Sequence, residues 1–280
     1  MLSITCPTCR RPLDRQPKTW TCVEGHSFDV AREGYVNLLL SHQKRSTIPG
    51  DSVAMLKARR AFLAAGHYDA LQDAVVALIA SRAPSSVLDV GCGDGYFTSA
   101  MTRVATDAAG VDIAGVDIAK VAIQMAARSC RGVTWLVGTA ASLPFADASL
   151  DVVCCIFSQL HAGEMQRVLK SDGRAIIVTP AADHLLSLRT LLFAEVRAHD
   201  TKRVTTALES SFQPVTHREI RANLVLSHGD LTHLLAMTPY ASRATHERRV
   251  LASTLDGLEA VAAFSVTSFA KSKVGTGDFS

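Results

Sequence analysis

The sequence predicts an α/β protein with a mostly parallel, Rossmann-like sheet, preceded by a small zinc-ribbon module. Three observations predict this architecture: cysteine and histidine pairs near the N-terminus, a glycine-rich turn after residue 90, and β-prone runs that alternate with helical segments beyond residue 84. Such alternation is typical of repeated βαβ units, whose strands pair in parallel. With 280 residues, the chain is long enough for one large domain and a small accessory module.

Composition excludes several classes of protein. Apolar residues make up 48% of the chain and charged residues 20%, which is typical of folded globular proteins and unlike disordered ones. The N-terminus lacks the basic start and apolar run of a signal peptide, and no stretch approaches eighteen apolar residues. We therefore expect a cytoplasmic protein with no membrane partner, in which cysteines bind metal rather than form disulfides.

Four residues have the spacing of a zinc site, Cys6-x2-Cys9-x12-Cys22-x3-His26. Three thiolates and one imidazole suit tetrahedral zinc, and a closed set of four ligands leaves no position for water, so the site is expected to be structural. The alternative is a chance grouping of reduced cysteines with a core histidine. The other cysteines are expected to be small core residues: Cys92, Cys130, Cys154 and Cys155.

Three units follow from these signals. Residues 1–40 form the zinc-binding module, which is expected to bury little apolar surface. Residues 41–83 form a helical connector, in which Ser52 caps one helix and a second helix runs over 69–82. Residues 84–280 form the main domain.

Basic residues cluster in the connector, although the net charge of +3 neither demands nor excludes a nucleic-acid partner. Phosphate contacts would use such a cluster, and the alternative is a solvated helix face beside a linker. The candidate nucleic-acid-binding residues are Lys44, Arg45, Lys57, Arg59 and Arg60.

The main domain contains five β-prone runs separated by helical segments, followed by a longer tail. The runs lie at 86–90, 110–117, 133–137, 150–157 and 174–179. In the tail we expect a helix over 184–199, a strand near 215–227, a helix over 230–237 and a strand near 260–270. The two late strands could form the antiparallel pair that closes the sheet.

The first strand of this domain leads into the turn Asp89-Val90-Gly91-Cys92-Gly93-Asp94-Gly95. Glycines at the first two positions let the backbone approach a ligand closely, and Gly95 lets helix and strand pack tightly. The spacing is G-x-G-x-G rather than the G-x-G-x-x-G of dinucleotide sites, which favours S-adenosylmethionine over NAD.

A second acid is expected at the end of the next strand, where it can accept both ribose hydroxyls of the cofactor. The duplicated sequence Gly-Val-Asp-Ile-Ala leaves Asp112 and Asp117 as candidates. We prefer Asp117, because a helical run over 120–130 begins just after it.

Segments 143–151 and 168–174 resemble those of class I methyltransferases, with Ser171-Asp172 where Pro-Gly is commoner. With the metal ligands and the glycine turn, the chain resembles the bacterial 23S ribosomal RNA guanine-N1-methyltransferases, which include macrolide-resistance enzymes of actinomycetes. The resemblance covers most of the chain and rests on further segments at 28–39, 49–52, 58–63, 66–68, 179–180, 184–185 and 235–239.

This resemblance implies methylation of guanine N1 in a hairpin loop of 23S ribosomal RNA, with S-adenosylmethionine as cofactor and structural Zn2+. It also implies that Tyr68 and His184 line the cofactor pocket beside Cys92 and Gly93. Helix-end packing of Tyr68 and helix capping by His184 are the alternatives. Guanine N1 must lose a proton during methylation, and Asp183 and His184 are the candidate acceptors.

Two other functions remain open from the sequence. The glycine turn names no acceptor, so a small-molecule methyltransferase with a structural zinc ribbon is one alternative. A non-catalytic RNA-binding protein that retains the fold is the other. A homodimer is compatible with the sequence but is not argued by it.

Overall fold

A computed structural model describes residues 1–43, 51–107, 110–200 and 202–272 of the protein. This part of the chain contains two sheets, one of three strands and one of eight. The strands are β1 (Leu13–Arg15), β2 (Thr19–Cys22), β3 (Ser27–Asp29), β4 (Val36–Asn37), β5 (Ser86–Val90), β6 (Asp112–Asp117), β7 (Val133–Val137), β8 (Leu150–Ile156), β9 (Leu169–Pro180), β10 (Phe212–Ser227) and β11 (Gly257–Lys271). The helices are α1 (Val53–Ala64), α2 (Asp69–Ala80), α3 (Tyr96–Asp107), α4 (Lys120–Ser129), α5 (Ala162–Val168), α6 (Leu186–Leu192), α7 (Lys202–Leu208), α8 (His228–Met237), α9 (Pro239–Arg243) and α10 (His246–Ser253).

The large sheet has the strand order β10-β11-β9-β8-β5-β6-β7-β4. Strands β4 to β9 pair in parallel, whereas β11 is antiparallel to both of its neighbours, β9 and β10. All five residues of β5 are buried, as expected for a central strand of a parallel sheet that is covered on both faces. The predicted fold class, a mostly parallel sheet with an antiparallel last strand, is confirmed.

The N-terminal module packs onto the large sheet. Its strands β1, β2 and β3 form the small antiparallel sheet, while Val36 of β4 pairs with Leu136 of β7 at the sheet edge. A further antiparallel bridge joins Ile4 to Phe145. The expectation that this segment buries little apolar surface is therefore wrong, because its apolar side chains share one core cluster with the main sheet. The domain boundaries at 40/41 and 83/84 stay a prediction.

Ser52 caps α1 as predicted, its side chain accepting a hydrogen bond from the backbone N–H of Met55. The helix expected over 184–199 is much shorter, however, and comprises only Leu186–Leu192. Leu185 adopts a left-handed conformation and Phe193 an extended one, so neither end can propagate the helix. None of the helices in the described ranges is both long and apolar enough to cross a membrane.

Candidate functional site

The four predicted metal ligands lie together. One ligand atom from each of Cys6, Cys9, Cys22 and His26 falls within 4.8 Å of the other three. The Sγ atoms of Cys9 and Cys22 are 3.6 Å apart, and Cys22 Sγ is 3.3 Å from His26 Nδ1. Tetrahedral zinc, with bonds of about 2.0 to 2.3 Å, holds its ligand atoms roughly 3.3 to 3.8 Å apart. The arrangement therefore fits a closed, structural zinc site.

Local geometry prepares this cluster for a metal. Gly25, with φ of +81°, reverses the chain so that His26 returns beside Cys22 at the end of β2. Burial raises the pKa of Cys22, but hydrogen bonds led by that from His26 outweigh it and lower the pKa to about 7. A thiol that ionises near neutral pH is a ready metal ligand.

The glycine turn leaves β5 and is anchored to β6. The backbone N–H groups of Gly91 and Cys92 both donate to the carbonyl of Val116, at 2.7 and 3.2 Å. The Gly93 N–H donates to Asp117 Oδ2 at 2.9 Å. Three backbone donors are thereby fixed at the carboxyl edge of the parallel sheet, where ligands of such folds bind.

The three glycines have different reasons to lack a side chain. A Cβ on Gly91 would lie 1.9 Å from Ser158 Oγ, and one on Gly95 would lie 2.6 Å from the ring of Trp135. A Cβ on Gly93 would meet nothing closer than Arg59, at 3.7 Å. The space beside Gly93 is therefore open, whereas the position beside Gly91 is filled by Ser158 in the loop after β8. The ligand-binding role of both glycines stays a prediction.

The two candidate ribose ligands lie at opposite ends of β6. Asp117 ends the strand beside the glycine turn, and its Oδ1 accepts the Ala119 N–H at 2.8 Å. Asp112 begins the strand and pairs with the N-terminal amine at 2.7 Å. Five residues of strand separate them by about 17 Å. The geometry thus favours Asp117, and its role as ribose ligand stays a prediction.

Asp89 is buried behind the turn, with 1% of its surface exposed. Its Oδ2 accepts a hydrogen bond from Thr98 Oγ1 at 2.6 Å, but Oδ1 has no partner among the described residues. Burial raises the pKa of Asp89 to about 7, and the neighbouring Asp117 contributes to this shift. The site therefore offers an unsatisfied buried acceptor, which a ligand donor or a bound water would satisfy.

Aromatic rings line the same edge of the sheet. The ring of Tyr68 is 6.4 Å from that of His184 and 4.7 Å from that of Phe264, so the two predicted pocket residues are neighbours. Phe157, directly after β8, packs 6.1 Å from Phe97 and 5.6 Å from Phe264, yet is 43% exposed. Its φ of +55° is rare for a bulky residue and marks candidate functional strain. The sequence alone carries no signal for it.

The two candidate proton acceptors differ in environment. Asp183 is half-exposed and bonded through both carboxylate oxygens to Arg221, which holds its pKa low. His184 is buried, and its Nδ1 lies 2.9 Å from the Ala263 carbonyl. Burial lowers the pKa of His184 to about 4, so the imidazole is neutral at pH 7.

The basic candidates do not form one free patch. Lys44 and Arg45 lie outside the described residues, and Lys57 is exposed on α1. Arg59 pairs with Asp51 at 2.6 Å. Arg60 donates to Asp94 at 3.2 Å and to Ser129 at 2.5 Å, which ties α1 to the glycine turn and α4. Arg59 and Arg60 are thus paired with aspartates near the glycine turn and do not form a free basic patch with the other candidates.

Comparison with known proteins identifies the family. A model described as RlmA, N-terminal, a zinc ribbon, matches residues 4–47, and one described as methyltransferase domain matches residues 88–177. A 23S rRNA (guanine(748)-N(1))-methyltransferase of Streptomyces fradiae is 32% identical, over 84% of this chain and 84% of its own length. A Micromonospora griseorubida protein, provisionally named a 23S rRNA (guanine-N(1)-)-methyltransferase, is 34% identical over 85% of this chain and 86% of its own. The chain belongs to the 23S rRNA (guanine-N1)-methyltransferase family.

YxjB of Bacillus subtilis, with the same provisional name, is 33% identical over 87% of this chain and 88% of its own. Membership in this methyltransferase family confirms the predicted resemblance, the S-adenosylmethionine cofactor and the structural zinc. The site fits that cofactor, because the open backbone at Gly93 admits a ligand and the unpaired Asp89 Oδ1 lies behind it.

Proposed function

We propose that the protein transfers the methyl group of S-adenosylmethionine to N1 of a guanine in a hairpin loop of 23S ribosomal RNA. The convergence of the glycine turn, Asp117, Tyr68, His184 and Phe157 at one edge of the sheet carries this proposal. The names of the family relatives support the choice of acceptor.

In this proposal the pocket residues bind and orient the cofactor. The Asp117 carboxylate, already fixed by two backbone N–H groups, accepts the ribose hydroxyls with its remaining lone pairs. The amino-acid end of the cofactor lies over the turn formed by Cys92, Gly93 and Gly95. Tyr68 lines the opposite side of the pocket. The bound cofactor supplies an activated methyl group, so placement and exclusion of water do most of the remaining work.

Phe157 supplies the surface for the guanine. A base must leave its stack to present N1, and flipped bases pack on aromatic side chains. The exposed ring of Phe157 lies 6.5 Å from that of Tyr68, which supports a position for the base between the proposed cofactor pocket and solvent. Phe157→Ala should therefore lower the rate of methyl transfer while leaving cofactor affinity within about twofold.

His184 is the preferred proton acceptor. Its Nδ1 lies 2.9 Å from the carbonyl and 3.2 Å from the backbone N–H of Ala263, and in the tautomer in which Nδ1 donates to the carbonyl, Nε2 accepts the proton. The ion pair with Arg221 lowers the pKa of Asp183 and makes that carboxylate the weaker base. A weakly basic imidazole suffices, because the N1 proton becomes strongly acidic as the methyl group arrives.

RNA binding would combine phosphate contacts with shape readout of the hairpin. Lys57 is the exposed candidate on α1, and Lys44 and Arg45 precede the same helix in the chain. The zinc module, which is fixed to the sheet by β4, would share this surface. Arg59 and Arg60 are assigned to the pocket side instead.

Two wider features belong to the proposal. The protein would act in the cytoplasm, where ribosomal RNA is modified.

It would also form a homodimer. Strand β10 is an edge strand whose outer side has no partner among the described strands, and such edges pair readily. Light scattering should then give twice the chain mass of 29.9 kDa, and a monomer would refute the dimer alone.

The test is transfer of labelled methyl groups from the cofactor to unmodified ribosomal RNA, with reverse transcription used to locate the product. A stop at one guanine is expected, since N1 methylation blocks base pairing. Labelled small molecules without labelled RNA would favour the small-molecule alternative. Absence of cofactor binding would favour the non-catalytic RNA-binding alternative.

A further inference from the structure

The guanidinium of Arg59 lies over the glycine turn. Its Nη1 atom is 3.7 Å from the position that a Cβ on Gly93 would occupy and 2.6 Å from Asp51 Oδ2. Only 28% of the side chain is exposed, so the charge faces inward from α1 rather than outward to solvent. Arg59 is therefore badly placed for phosphates of an RNA and well placed for a ligand on the turn.

The positive charge of Arg59 affects the pKa of two further groups. Burial raises the pKa of Asp117, and the positive charge of Arg59 opposes that rise. Burial also raises the pKa of Tyr68, again opposed by Arg59. The guanidinium thus lies beside the Gly93 backbone and acts electrostatically on Asp117 and Tyr68, which belong to the proposed cofactor pocket.

The negative charges around the glycine turn favour a positively charged side chain beside it. Four aspartates surround it: Asp51, Asp89, Asp94 and Asp117. This negative environment suits the sulfonium and ammonium groups of the cofactor but repels its carboxylate. Arg60 is committed to Asp94 and Ser129 beneath the turn. Among the described residues, Arg59 is the cation that lies against the open side of Gly93.

We propose that Arg59 binds the carboxylate at the amino-acid end of S-adenosylmethionine, and that Asp51 holds the guanidinium in place before the cofactor arrives. A guanidinium has five N–H donors in a planar fork, so it can serve Asp51 through one edge and a second carboxylate through another. The inference rests on the proposed function for the identity of the ligand. It replaces the RNA-binding role first considered for Arg59.

Isothermal titration calorimetry of the full-length protein tests this role with three ligands. S-adenosylmethionine and S-adenosylhomocysteine both carry the carboxylate, whereas decarboxylated S-adenosylmethionine lacks it and keeps the rest. Arg59→Ala should weaken binding of the first two about 10- to 100-fold, the usual cost of a lost charged hydrogen bond. Binding of the decarboxylated ligand should change less than about threefold. Arg59→Lys, which keeps the charge but loses the fork, should fall between the two.

Lys57→Ala is the matched control, because it removes one positive charge from the same helix at an exposed position. All three affinities should match those of the wild type. An equal loss for all three ligands in Arg59→Ala would mean that the residue only supports the pocket, and no loss for any would also overturn the proposal.

Asp51→Asn removes the negative charge that pairs with the guanidinium of Arg59. The Arg59 charge remains but is no longer held in place, so S-adenosylmethionine affinity should fall by less than in Arg59→Ala, and an unchanged affinity would refute the holding role of Asp51. A loss as large as that of Arg59→Ala would show that binding needs the ion pair rather than Arg59 itself, which contradicts the proposal. Failure of the proposed function looks different: the wild type would then bind none of the three ligands, or bind them without methylating RNA.

Discussion

The carboxylate of Asp117 accepts a hydrogen bond from the backbone N–H of Gly93 at 2.9 Å, which fixes the glycine turn to the end of β6. Asp117→Asn should weaken S-adenosylmethionine binding about 10- to 100-fold, because a charged acceptor is lost from a buried site. Calorimetry checks this, with Asp112→Asn as control at the other end of the strand. Equal losses in the two variants would refute the assignment of Asp117 as ribose ligand.

Gly95 packs against the ring of Trp135, and its φ is +84°. Gly95→Ala should lower the free energy of unfolding by about 2 to 5 kcal/mol, because overpacking adds to left-handed strain. Gly132→Ala shares the positive φ but meets nothing within 4 Å, so about 1 to 2 kcal/mol is expected. Urea denaturation measures both. Similar losses would mean that contact with Trp135 contributes nothing.

Zinc should be required for folding of the N-terminal module. Cys6→Ala should lose the metal, which mass spectrometry of the intact protein measures, and residues 1–40 should then exchange their amide hydrogens rapidly. Protection of β7 should also fall, since β4 pairs with its edge. Cys130→Ala, away from the cluster, should retain one zinc ion per chain. A metal-free Cys6→Ala protein with full protection would contradict a structural role for zinc.

His184 should make stability depend on pH. The pKa of an unfolded histidine is about 6.5, whereas that of buried His184 is about 4. Between these values the unfolded chain binds a proton that the folded protein does not, so stability falls as the pH drops. From pH 6.5 to pH 5 the loss in unfolding free energy should be smaller in His184→Gln than in the wild type by up to about 2 kcal/mol. An identical loss would show that His184 titrates normally.

Local signals in the sequence predicted the elements that bear chemistry. Cys6 to His26 could be identified from ligand spacing alone, because two ligand pairs on tight turns need no other part of the fold. Ser52 could be identified as a cap, because a capping hydroxyl acts on the next turn of its own helix. The glycine turn could also be identified from a local signal, because it joins two elements that are consecutive in the sequence.

Contacts between distant residues escaped prediction. The bridge from Ile4 to Phe145 and the pairing of Val36 with Leu136 span a hundred residues or more, and no periodicity encodes them. The role proposed for Arg59 depends on how α1 lies over the glycine turn, and a cluster of basic residues in the sequence does not show this position. Leu185 ends the predicted long helix through one left-handed residue, whose conformation is set by its tertiary surroundings.

The most direct test of methyl transfer to guanine N1 is mass spectrometry of nucleosides from unmodified 23S ribosomal RNA treated with the protein and S-adenosylmethionine. The expected product is 1-methylguanosine from a single site in a hairpin loop, absent when Asp117→Asn replaces the wild type at limiting cofactor. Methylation of another base or of another atom of guanine, or no methylated nucleoside from a protein that binds the cofactor, would contradict the account.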